Sequence, residues 1–240
     1  MSCALSGGWC HRSDELHLVK TLLLNADDLL HGERARRAAV AQRPRTLLFV
    51  LIAFGSTYGA VMGTFGGLEG ERLLQIVYSA VKVPMLLLIT FAISVPSFFV
   101  INTLLGLRED FREALAALVA TQAGLTVILA SLAPMTALWY ASSSNYDQAL
   151  LFNGFMFGVA SIAAQWILRA RYRPLIARNP RHLLMLRGWL VLYAFVAIQL
   201  AWVLRPFVGS PTAPVRFFRE DAWGNAYIVI LERIARVAGF

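Results

Sequence analysis

Charge is what this sequence has least of. Only 15% of its 240 residues are charged, against roughly 25% in an ordinary soluble domain. Cysteine is nearly absent too. Cys3 and Cys10 are the two thiols, and they form neither a CxxC pair nor a zinc-ligand spacing. A disulfide scaffold does not fit, and the pair reads as two reduced thiols. The four histidines, His11, His17, His31 and His182, match no HExxH or other ligand pattern. There is no GxSxG elbow, no P-loop and no paired acid inside an apolar run. Asp27-Asp28 reads as a solvated helix face rather than a metal site. The expectation is a chain with no catalytic residues, no metal and no cofactor. The first residues lack the basic n-region and apolar core of a secretory signal. Ser2 stands where N-myristoylation needs glycine.

What is present is apolar surface. Hydrophobic residues make up 58% of the chain and the mean hydropathy is +0.61. A soluble protein of that composition could not cover itself with polar groups, so the excess must face lipid. A spanning helix needs about 20 mostly apolar residues. Five segments meet that length: Thr46–Gly66, Val83–Leu105, one within Ala114–Tyr140, Ala149–Leu168 and Leu186–Leu204. No acid, Lys, Arg or His lies in the middle of any of them. The reading is an all-α, polytopic helical membrane protein with five transmembrane helices and amphipathic helices at both ends. Residues 1–45 form an N-terminal segment, 46–206 the bundle, and 207–240 an outer-side tail.

Basic residues orient the bundle. The net charge is +8, and 20 of the 22 basic residues are Arg. An alternating layout puts 15 basic residues on the side of the N-terminus and 7 on the other. The positive-inside rule then places the N-terminus in the cytoplasm and the C-terminus outside. The segment 169–187 carries six arginines and no acid, and weighs most in that count. It reads as a topogenic loop, with anionic lipid or an acidic partner as a compatible use. Arg171, Arg173, Arg178 and Arg181 in this loop, and Arg205 after the fifth span, are the candidate headgroup contacts. Nucleic acid is not expected, because no recognition motif accompanies the basic charge.

Three amphipathic stretches flank the spans. Ser13, Asp14 and Glu15 make a helix start. Leu16, Val19, Leu23, Ala26 and Leu30 follow at 3-4-3-4 spacing. Leu73, Leu74, Val77 and Val81 share a face in Arg72–Lys82, which reads as a short interfacial helix before span two. Trp223–Val237 reads as an interfacial tail helix.

The sharpest motif is in span one. Gly55, Gly59, Gly63 and Gly67 recur every fourth residue and open a side-chain-free groove along one helix face. The groove serves packing within the bundle or an interface with a partner or a second copy. Smaller echoes are Ala116/Ala120/Gly124 in span three, Gly154/Gly158 in span four and Ala197/Ala201 in span five, and they point to a tight bundle. Pro84 reads as a first-turn residue of span two and Pro96 as a kink. Asn102, Gln122 and Gln165 form a polar tier across spans two, three and four, through interhelical hydrogen bonds or as a binding cluster.

Two stretches carry a resemblance. One runs from Lys82-Val83-Pro84-Met85 through Pro96-Ser97 to Asn102-Thr103-Leu104-Leu105-Gly106. The other is Trp202-Val203-Leu204-Arg205-Pro206-Phe207, followed by Gly209-Ser210-Pro211. Together they resemble a group of bacterial five-span membrane proteins, and the layout is similar to the Yip1 family of membrane-organising proteins. The resemblance implies a non-enzymatic integral membrane protein that organises membranes or serves as a subunit of a membrane complex. The bias toward Arg fits a GC-rich bacterium and hence the inner membrane. A small transporter or channel lined by the polar tier is the alternative.

Overall fold

Backbone polar groups in lipid must be satisfied within the chain, and a helix does this locally. The computed structural model describes residues 20–24, 26–27, 44–70, 72–210 and 214–218, and their regular structure is helical. Five helices are long and apolar enough to cross a membrane. They are α1 (Pro44–Gly63), α2 (Arg72–Leu104), α3 (Phe111–Ser142), α4 (Tyr146–Arg178) and α5 (Arg181–Val203). A 3-10 turn at Arg108–Asp110 joins α2 to α3. The chain is a multi-pass membrane protein. α2 and α4 have 33 residues each, about 50 Å at 1.5 Å per residue. That exceeds a hydrocarbon layer of about 30 Å, so both extend beyond it or cross it tilted.

Two expectations about helix limits are corrected. The interfacial helix expected at Arg72–Lys82 is the first third of α2, continuous with the span. Pro84 is therefore an interior residue rather than a first-turn one. It has no N–H to return to the Ala80 carbonyl, and α1 supports the helix at that point. A Cβ added to Gly55 would lie 3.5 Å from the Pro84 Cβ. The arginine-rich segment 169–187 is also not a loop. α4 continues through Pro174 to Arg178, and only Asn179 and Pro180 separate it from α5. The reason is its apolar stripe. Leu168, Tyr172 and Leu175 are buried at i, i+4 and i+7, with Arg169 and Arg173 exposed beside them.

Local chemistry sets the ends. The Asn145 side chain caps α4 by accepting from the Gln148 N–H at 3.1 Å. Gly106, at φ +73°, takes the left-handed position that closes α2. There the Asn102 amide donates to the Leu107 carbonyl at 2.9 Å.

α3 is the central helix. Of its most apolar window, 61% is buried, against 17% for α5. α1 packs on α2 and α3, α4 packs on α3, and α5 leans on α2 more than on α4. Trp189 carries that lean, edge-on to Phe91 at 5.7 Å and to Phe98 at 5.1 Å. Ala26 of the N-terminal helix is buried with Leu47, Val50 and Ala123, so this segment docks on α1 and α3. Its expected start at Ser13–Glu15, both cysteines, Asp28 and the expected tail helix Trp223–Val237 lie outside the described residues.

The glycine row of α1 faces α2. A Cβ on Gly59 would fall 2.3 Å from the Ser79 carbonyl oxygen, and one on Gly63 2.5 Å from the Ile76 Cα. Gly55 meets Thr126 and Pro84 at ordinary contact distance. This face is filled by the chain's own helix, which leaves no groove there for a partner. The row stops at Gly63, where α1 ends. Gly67 lies in the following turn at φ +107°, with nothing within 4 Å of an added Cβ, so its role is conformational rather than packing.

Candidate functional site

The chain leaving α5 folds back as a strap, residues 204–210, over the first turns of α2. Irregular backbone cannot satisfy itself, and α2 supplies the donors from one face. Arg72, Gln75, Ser79 and Lys82 recur at 3-4-3 spacing and so lie on one side of the helix. Arg72 donates to the Ser210 carbonyl at 2.6 Å. The Gln75 amide reaches the Pro206 and Phe207 carbonyls, each at 3.4 Å. The Ser79 hydroxyl donates to the Phe207 carbonyl. Lys82 is fully buried, donates to the Pro206 carbonyl at 2.7 Å, and lies 4.7 Å from the centre of the Phe217 ring. The opposite side of the same turns, Leu73, Leu74, Val77 and Val81, is about half exposed. This part of α2 is polar inward and apolar outward, as a lipid-facing helix should be. The two motifs that carry the family resemblance thus touch through Lys82 and Pro206.

The strap closes one end of a cleft between α4 and α5. The cleft has a volume of about 850 Å³ and a largely apolar wall, and it reaches from Tyr146 to Leu168 along α4. Small residues hollow it out: Gly154, Gly158, Ser161 and Ala164 on α4, and Ala194, Ala197 and Ala201 on α5. A Cβ on Gly154 or Gly158 would meet nothing within 4 Å. Gly154, Gly158, Ala197 and Ala201, expected to mark a tight bundle, instead line open space, whereas Ala120 and Gly124 of α3 are buried. Pro206, Phe207 and Val208 of the strap form its end wall.

Polar atoms meet the cleft at two levels. At the strap end, the Arg205 guanidinium stacks on the Trp202 ring at 3.2 Å, and its Nε donates to the Trp202 carbonyl at 3.0 Å. The Trp202 indole N–H is buried with no acceptor among the described residues. Asp147 lines the same end. Deeper in, the Tyr193 hydroxyl donates to Gln122 Oε1 at 2.8 Å. Gln165 Oε1 is buried and makes no hydrogen bond among the described residues. Asn153 also lines the cleft, but it is engaged. It accepts from the Tyr58 hydroxyl at 3.3 Å and donates to the Tyr140 hydroxyl at 2.5 Å and the Ala149 carbonyl at 2.7 Å.

The polar tier expected from sequence is therefore split. Gln122 and Gln165 line the cleft with Tyr193, whereas Asn102 closes the turn after α2. The arginine set is split as well. Arg205 is at the cleft. Arg178 pairs with Asp110 at 2.5 Å and Glu113 at 3.2 Å. Arg181 donates to the Leu105 carbonyl at 3.2 Å. Arg173 is exposed and Arg171 only partly so. Arg178 and Arg181 fasten the α2–α3 turn to the α4–α5 turn, and both remain exposed. His182 completes that clasp, fully buried with Nε2 3.0 Å from Asp110 Oδ2.

Sequence reasoning missed Tyr193 and the donor face of α2. The 3-4-3 spacing of Arg72, Gln75, Ser79 and Lys82 was a signal for the last. No family model, no curated protein and no solved structure matches this chain.

Proposed function

We propose that this protein is a non-enzymatic organiser of membrane lipid that holds the apolar chain of an anionic lipid in the α4–α5 cleft. The observation that carries the reading is the cleft itself, apolar along its walls and polar at its strap end. The polarity of the lining chooses the occupant. A cation and an indole N–H at one end of an otherwise apolar slot match a headgroup and its chain, whereas a partner's spanning helix brings no such anionic end. Lipid chains suit such a slot, and each buried methylene contributes about 0.8 kcal/mol. Arg205 and the Trp202 indole N–H supply a cation and a donor where a lipid phosphate would lie, and Asp147 beside them suits a headgroup ammonium. The basic bias supports an orientation with the N-terminus and the Arg178 clasp inside and the strap outside, in an inner membrane.

Native mass spectrometry of protein purified from its own membranes in mild detergent tests the reading. The expected result is one retained phospholipid per chain, lost when Gly154 and Gly158 are both replaced by Leu. A chain free of lipid overturns it. So does a stoichiometric protein partner without lipid, which would make the chain a subunit of a complex.

A further inference from the structure

Gln122, Gln165 and Tyr193 come from three different helices and line the same cleft. Tyr193 spends its proton on Gln122 Oε1 at 2.8 Å, so its oxygen faces further contacts as an acceptor. Gln165 Oε1 is buried with no hydrogen bond among the described residues. A carboxamide left unmatched in an apolar wall is costly, on the order of 1–3 kcal/mol. Nothing in the wall requires it, since alanine or leucine would line the same space. Turning the amide over exchanges the oxygen for the NH₂ and still leaves a polar atom at that position. The group that satisfies either orientation is a hydroxyl, which both donates and accepts.

We infer that the cleft selects an amphiphile bearing a hydroxyl on its chain, read by Gln165 with Tyr193 and Gln122 beside it. The inference rests on the lipid-holding reading above and adds the class of chain. Trp202 and Tyr193 are nine residues apart on α5, about 14 Å at 1.5 Å per residue. A headgroup at Trp202 and Arg205 therefore sets the hydroxyl near the middle of a long acyl chain. Gln165 acts here as a specificity residue, recognising the chain by a hydrogen bond that an unmodified chain cannot make.

The probe is an equimolar mixture of 12-hydroxyoctadecanoate and octadecanoate, added to delipidated protein. The ratio of the two bound forms is read by native mass spectrometry. Wild type should favour the hydroxy acid roughly fivefold, the value of one net hydrogen bond. Gln165→Met keeps the side-chain volume and should bring the ratio to about one while octadecanoate still binds. Equal binding of the two acids to wild type overturns the hydroxyl assignment and leaves the lipid-holding reading standing. A preference that survives in Gln165→Met also overturns it. Binding of neither acid overturns both readings together.

Discussion

The α1–α2 seam and the α4–α5 seam carry the same sequence signal with opposite results. Each presents small residues four apart on its helices. At the first, Gly59 and Gly63 let backbone meet backbone, close enough that a Cβ would overlap α2. At the second, Gly154 and Gly158 face open space. Spacing shows that two helices can approach closely, not that they do. What decides is where each helix is held. The chain turns from α1 into α2 within residues 64–70, and Gly59 and Gly63 meet the α2 backbone at residues 75–76 and 79–80, beside the side chains that bind the strap. α5 is drawn the other way. Trp189 docks on Phe91 and Phe98, and the strap is bonded to α2, so α5 leans from α4.

One substitution made at both seams breaks this comparison most sharply. Gly59→Ala puts a methyl into the Ser79 carbonyl, which is backbone and cannot turn aside. It should cost about 3 kcal/mol or more, and Gly63→Ala a similar amount. Gly154→Ala meets nothing and gains helix propensity, worth up to about 1 kcal/mol. Thermal unfolding in one detergent should therefore move in opposite directions for the two variants. Equal shifts would mean that the seams are alike in the membrane.

The strap supplies a smaller effect. Lys82→Met leaves the Pro206 carbonyl only the long 3.4 Å contact from Gln75, at a cost of about 1 kcal/mol. Amide exchange in residues 207–210 should speed up while exchange in α3 stays as in wild type. If the strap amides remain as protected as before, Gln75 and Ser79 hold the strap without the lysine.

The smallest effect belongs to the clasp at the other end. The hydrogen bond from His182, then that from Arg178, holds the Asp110 carboxyl below its ordinary value of 3.8. A depressed carboxylate stabilises the fold above its unfolded pKa, and that contribution is lost as pH falls through the folded one. Stability should hold between pH 7 and about 4 and decline below that. Asp110→Asn should flatten the acid decline, which acid titration of the unfolding midpoint would read. The clasp is partly open to water, so its share is modest.

Much of the fold was legible because lipid leaves so few options. Apolar runs of spanning length predict helices whatever their neighbours do, and five were found where five were expected. The errors came at positions where a local rule met a tertiary one. Pro84 signals a helix start in isolation, yet α1 holds the helix straight through it. Six arginines signal a loop, yet four of them lie on α4, which Leu168, Tyr172 and Leu175 keep helical, and two on α5. The candidate site was legible only in pieces. Gln122 and Gln165 were singled out as polar residues within the spans, and Arg205 as a headgroup contact after the fifth. Nothing in the linear order separates their tier from Asn102 or joins it to Tyr193.

Composition and hydrophobic run length by themselves determined the class, the number of spans and the absence of charge from their middles, because transfer into lipid is additive along the chain. The tertiary structure decided what small and polar residues do. A glycine row closes a seam or opens a cleft according to which helix stands opposite. A glutamine is satisfied or left waiting according to whether a neighbour's hydroxyl reaches it. Those are relations between helices, set by the strap, by Trp189 and by the turns at each end, and no single segment contains them.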